Sequence, residues 1–198
     1  EIPTHHWRLQ GTGSEISNDI DQLTLHGNAV YDTQGGITFD GSTCYATSSE
    51  TFSFSSQHGF SFSVWIYLTD KNNMTGKLFW AEHKQHAIGI SLSPRGLTFT
   101  NHLLRLPHTL PTSWSLREWN HIVCTISPIG VIDLYRNSNQ ISSNEETMMI
   151  SDQQYKIYFG STTGTSFHGC FQDVRIYSYK KLTSTDIVQI YNTSQKNH

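Results

Sequence analysis

The side chains of this chain best suited to chemistry are rings and amides. Trp80 and Trp114 lie beside irregular stretches, and Asn72, Asn101 and Asn137 fall in polar segments. That combination is the chemistry of a sugar site. A flat ring packs against the C–H face of a pyranose, while amides exchange hydrogen bonds with its hydroxyls in a shallow depression. The plainer alternative for each ring is the core or the covering of a sheet, where most aromatic residues of a β protein reside.

Other chemistries find less support. There are 11 histidines, but His83-Lys84-Gln85-His86 has helical spacing in a segment that reads as strand or loop, and no His-Glu-x-x-His or paired cysteine motif accompanies it. Zinc is therefore not expected. Glu145 and Glu146 are adjacent, which sends their side chains to opposite faces of a strand, and no Gly-x-Ser-x-Gly elbow exists. An enzyme is not expected either. Cys44, Cys124 and Cys170 cannot all pair within one chain, and none sits in a Cys-x-x-Cys motif. Cys124 falls on the inward face of its strand and reads as a buried free thiol.

Charge excludes another class. With 13 Lys+Arg against 16 Asp+Glu the net charge is -3, so there is no basic field for nucleic acid. Nothing approaches the roughly 18 consecutive apolar residues of a membrane span, and no signal-peptide pattern opens the chain, so a soluble chain without membrane insertion is expected. Asn73-Met74-Thr75 and Asn192-Thr193-Ser194 match the glycosylation acceptor pattern.

The elements that must position these groups are strands. Phe60, Phe62, Val64 and Ile66 alternate with Ser61, Ser63, Trp65 and Tyr67, a period of two that places the first set inward and leaves Trp65 and Tyr67 to be covered or used. Trp119 to Tyr135 divides into two alternating runs joined by Ser127-Pro128-Ile129-Gly130, a hairpin whose proline presets the turn. Further short strands are expected at Ile37–Asp40, Leu78–Trp80, Ile88–Leu92, Leu97–Phe99, Ile157–Gly160 and Cys170–Tyr177, with 101–117 and most of 135–149 as irregular polar segments. Thr183-Ser184-Thr185-Asp186 is a capping box that opens one short helix. Many short strands at regular intervals with one terminal helix predict an all-β, antiparallel β-sandwich jelly roll, a single domain over residues 1–198.

The landmarks also follow those of a known family in order. His6-Trp7-Arg8-Leu9, Ile37-Thr38-Phe39-Asp40-Gly41, Phe60 to Ile66, Trp119-Asn120-His121-Ile122-Val123, Leu134-Tyr135, Tyr158-Phe159-Gly160 and Gly169 to Tyr177 together resemble the laminin G-like, concanavalin A-like jelly roll. The resemblance implies two stacked antiparallel sheets with the first and last strands as neighbours, and mainly structural roles for Trp65 and Trp119. It implies a Ca²⁺ site near the last long strand, with Asp173 and Asp40 as the carboxylates, although Gln172 stands where the family pattern has a first acid. It also sets Cys44 and Cys170 on strands that can lie side by side, which predicts a disulfide between them. The acidic array of the superfamily's glycosidases, Glu-x-Asp-x-x-Glu, is missing. The resemblance thus points to a recognition module binding glycans, in the extracellular space or on a cell or virion surface, as part of a larger protein. A protein-binding adhesion module without its own sugar site is the alternative.

Overall fold

A computed structural model describes residues 2–9, 23–70, 75–101, 108–144 and 152–195, and the side chains of Asn101 and His108 lie outside that description. The chain runs through β1 (His5–Trp7), β2 (Leu23–His26), β3 (Val30–Tyr31), β4 (Ile37–Asp40), β5 (Tyr45–Ser53), β6 (Phe60–Leu68), β7 (Gly76–His83) and β8 (His86–Ser93). It continues through β9 (Gly96–Asn101), β10 (His108–Pro111), β11 (Trp119–Ile126), β12 (Ile132–Arg136), β13 (Asn139–Asn144), β14 (Gln154–Gly160) and β15 (His168–Tyr177) to a single helix, α1 (Ser184–Ser194).

Two antiparallel sheets stack. An eight-stranded sheet runs β13-β12-β11-β6-β15-β4-β3, with β1 paired to β15, so the first and last strands are neighbours. A seven-stranded sheet runs β10-β9-β8-β7-β14-β5-β2. Phe60, Phe62, Val64 and Ile66 face the inter-sheet core as their alternation requires, each at most 1% exposed. Rings bridge the layers: Phe62 meets Phe79 at 4.9 Å between centroids, and Phe171 meets Phe159 at 5.5 Å. Each such burial is worth about 2 kcal/mol relative to exposure.

The central hairpin forms as its sequence predicts, with Ile126 opposite Ile132 and the Gly130 amide closing the turn on Ser127. The described parts of two polar stretches form strands that their composition does not announce. Asn137 and Ser138 adopt φ of +48° and +66°, the left-handed pair that turns β12 into β13. In β13 only Ile141 packs against the core, so no alternation announces this edge strand. Likewise β10 pairs with β9 at the sheet edge, a place that tolerates Pro111.

The predicted disulfide is absent. All three cysteines are free. β4 and β15 do pair, but Cys44 belongs to the inter-sheet core, 3.1 Å from the Ser166 hydroxyl, whereas Cys170 faces the other way with its sulfur against the Gly35 carbonyl. Cys44 lies beyond β4, on the segment that enters β5 of the other sheet, while Cys170 sits on β15 opposite Thr38, so the two thiols point into different layers.

Candidate functional site

The two outer faces of the sandwich differ. On the eight-stranded sheet, α1 lies over Val123, Tyr135 and Tyr177, burying Ile187 and Ile190 against them together with Leu182, which precedes the helix. The capping box holds its start, Thr183 and Asp186 each accepting from the other's backbone amide. Trp65 is covered: its ring stacks on Tyr191 at 5.6 Å and its N–H donates to the Ser194 hydroxyl at 2.9 Å. His121 lies in the same layer, bonded to Ser63 at 2.8 Å, and burial pushes its pKa down to about 3, so it is neutral. Under α1 this face is consumed by packing, while Tyr67 and Trp119 beside it stay partly exposed.

On the seven-stranded sheet no described helix crosses the outer face, where Tyr45, Thr47, Lys77, Trp80, Thr98 and Thr100 stay partly exposed while Tyr158 is buried among them. Register places Thr47, Tyr158, Trp80, Gly89 and Thr100 side by side across β5, β14, β7, β8 and β9. One row away, His26 stacks on Tyr45 at 4.4 Å, and Tyr45 meets Tyr158 edge-on at 5.8 Å. Cations stand over the rings: Lys77 Nζ is 4.2 Å from the Trp80 ring and Lys156 Nζ is 5.3 Å from that of Tyr158. The Trp80 N–H donates to Glu82 at 3.1 Å, which fixes the ring's orientation. Burial lowers the Lys77 pKa while Glu82 opposes that shift, marking an ammonium partly stripped of water. A row of rings with two cations, flanked by Thr98, Thr100 and Thr109 hydroxyls, can stack a pyranose and attract an acid group carried on it.

Of the residues named from sequence, Trp80 lies in this row and the others do not join it. Trp114 packs against the core, and its N–H is taken by the Ser93 carbonyl at 2.9 Å. Asn137 sits in the β12–β13 turn, where its side-chain oxygen accepts from the His121 amide at 2.9 Å. Asn101 ends β9, with its side chain outside the described residues, as is the whole of Asn72. Lys77, Tyr158 and Glu82 were not foreseen. Their juxtaposition depends on strand register and on an irregularity in β7 between Lys77 and Phe79.

The calcium expectation meets residues that do not fit it. Asp173 is 6% exposed, with both oxygens held by Arg175 at 2.8 and 2.9 Å and one also by His6 at 2.5 Å. Burial alone would raise its pKa, but these bonds outweigh it and hold the carboxylate below its ordinary range. Gln172, in the place of the family's acid, donates to the Gly35 carbonyl at 2.6 Å and so occupies an oxygen with a proton donor. Asp40 caps its own turn through Ser42 and accepts from Asn28, which hold its pKa low. It pairs opposite His168, five residues from Asp173, so roughly 16 Å of backbone along the strand separates the two positions. They cannot share one ion. Among the described residues no group of three or more His, Cys, Asp or Glu side chains converges for a metal.

A family profile described as the concanavalin A-like lectin/glucanases superfamily, of the laminin G type, matches residues 40–188. The chain belongs to this superfamily. No curated protein matches this superfamily member. Solved structures do. The binding domain of botulinum neurotoxin serotype D is similar with a TM-score of 0.74 and 15% identity, over 96% of this chain and 51% of that one. The receptor-binding domain of the C/D mosaic serotype gives 0.73 and 16%, over 93% and 50%. The serotype D ligand-binding domain in complex with N-acetylneuraminic acid gives 0.71 and 14%, over 96% and 50%. The chain spans about half the length of these domains, and at such identity the likeness is one of fold. No described helix is long and apolar enough to cross a membrane.

Proposed function

We propose that this chain is a non-enzymatic recognition module that binds acidic glycans on the outer face of its seven-stranded sheet, displayed outside the cell or on a surface. The observation that carries the reading is Lys77 standing 4.2 Å over Trp80 on a face no described helix covers. A sugar ring replaces the lysine chain over the indole, and the released ammonium pairs with the sugar's carboxylate or sulfate. Support by analogy comes from the solved neighbours, one bound to N-acetylneuraminic acid and another, botulinum neurotoxin type C, described as entering cells through two ganglioside molecules.

The test is a glycan array probed with the chain at high density, with and without EDTA, beside its Trp80→Ala variant. Retention of acidic glycans by the wild type, insensitive to EDTA and lost with Trp80, is the expected result. A blank array overturns the proposal in favour of a protein ligand.

A further inference from the structure

A second depression lies at the end of the sandwich, away from the Trp80 row. It encloses about 470 Å³ between the end of β5, the loop that follows it, the β7–β8 turn and the start of β14, a size suited to one or two sugar rings. Its lining is distinctive. Asp152 is fixed by the Ser56 amide at 2.6 Å and the Ser56 hydroxyl at 2.8 Å, bonds that hold its pKa below the ordinary carboxylate value. The loop presenting Ser56 is itself closed, Ser55 bonding His58 at 2.9 Å and its carbonyl accepting from Gly59. His83 Nδ1 bonds the Gln154 carbonyl at 2.7 Å, which in the neutral ring makes Nδ1 the donor and leaves Nε2 as an acceptor. Tyr179, 54% exposed, is the ring at the rim, with the buried Phe54 among the lining residues. The exposed amides of Gln57 and Gln153 complete the lining, each able to give and to accept.

Among the described residues no lysine or arginine lines the depression. An anion there would meet Asp152 with no compensating charge. A neutral polyol meets oriented acceptors at Asp152 and His83, two-way amides at Gln57 and Gln153, and a ring for its C–H face at Tyr179. We propose that this cleft is a saccharide site for an uncharged sugar, separate from the sheet face. It rests on the reading of the chain as a glycan-binding module but not on Trp80. Preorganisation of Asp152 by Ser56 is what makes so open a site usable, because little ordering remains to be done on binding.

Saturation-transfer NMR and calorimetry on the whole chain separate the two sites. The probes are the methyl glycosides of glucose, galactose, mannose and N-acetylglucosamine, with N-acetylneuraminic acid alongside. At least one neutral glycoside is expected to bind. Tyr179→Ala and Asp152→Asn each weaken it about tenfold, the loss of one good contact, and Trp80→Ala leaves it unchanged. Gln153→Ala, which removes a side chain that makes no hydrogen bond among the described residues, repeats the test should Asp152→Asn loosen the Ser56 loop. Binding of N-acetylneuraminic acid without any neutral glycoside overturns the cleft and leaves the sheet face standing. Neutral binding lost with Trp80 but not with Tyr179 overturns it too. Neutral binding lost with Tyr179 while no acidic glycan is retained sustains the cleft and overturns the sheet face. Absence of all binding overturns both.

Discussion

The Trp80 indole lies so close over Gly89 that a Cβ there would stand 2.4 Å from the ring's Cε3 atom. The glycine is thus the seat of the ring. Gly89→Ala is expected to displace Trp80 from its row and reduce acidic-glycan retention by an order of magnitude or more, as Trp80→Ala does. The melting temperature shifts by only a few degrees, since a partly exposed ring contributes on the order of 1 kcal/mol. Array binding beside calorimetric melting checks this, and full retention by Gly89→Ala would remove Trp80 as the platform.

Lys77 gives the same face its sign. An ion pair formed at a partly exposed site weakens with salt. Raising ionic strength from about 0.05 to about 0.5 M is expected to weaken acidic-glycan binding several-fold, and Lys77→Gln to remove most of that dependence. Equal salt slopes for the two proteins in a titration series would place the acid group elsewhere.

Asp173 is a structural carboxylate, held by Arg175 and His6 on a residue with φ of +48°. Asp173→Ala leaves the Arg175 guanidinium, whose side chain is 13% exposed, uncompensated, and is expected to cost ~3 kcal/mol in denaturant unfolding. Because its folded pKa is depressed, Asp173 stabilises fully above its unfolded value near 3.8, and this contribution fades as pH falls through the folded pKa. EDTA leaves the wild-type melting temperature unchanged if the carboxylate serves the fold alone.

His121 sets a second acid limit at higher pH. Its folded pKa of about 3 lies below the ordinary 6.5, so the unfolded chain takes the proton first. Stability is complete above pH 6.5 and falls by up to ~1.4 kcal/mol per unit toward pH 3. His121→Gln, which keeps a donor toward Ser63, flattens that slope between pH 6.5 and about 4, as unfolding curves at stepped pH will read.

The thiols are expected to be silent. Burial pushes the Cys170 pKa up to about 12 and raises that of Cys124 as well, so little reactive thiolate forms at neutral pH. A disulfide reagent should react slowly with the native chain and with all three thiols on denaturation, and the intact mass should not change on reduction. A gain of two hydrogens would restore the Cys44–Cys170 pairing.

Much of the fold was written locally. The alternation from Phe60 to Ile66, the Ser127–Gly130 turn and the Thr183–Asp186 capping box each carry their own physical instruction, and each element formed where that instruction lies. β13 was not legible, because its position comes from backbone pairing and from the left-handed turn at Asn137 and Ser138 rather than from an apolar pattern.

The candidate site was legible only in one residue. Sequence determined that the chain is a β-sandwich, that it lacks the Glu-x-Asp-x-x-Glu array and a basic field, and that Trp80 stands on a strand. Tertiary structure decided which rings are covered. Trp65 could have been a platform by composition, yet α1 returns 126 residues later to lay Tyr191 on it. Lys77 and Trp80 would point to opposite faces in a regular strand, and the irregularity between Lys77 and Phe79 turns them to the same one. A bulge shifts facing by one residue without changing composition, and sheet neighbours such as Tyr158 are set by long-range pairing, so the chemistry of the face exists only once the strands are assembled.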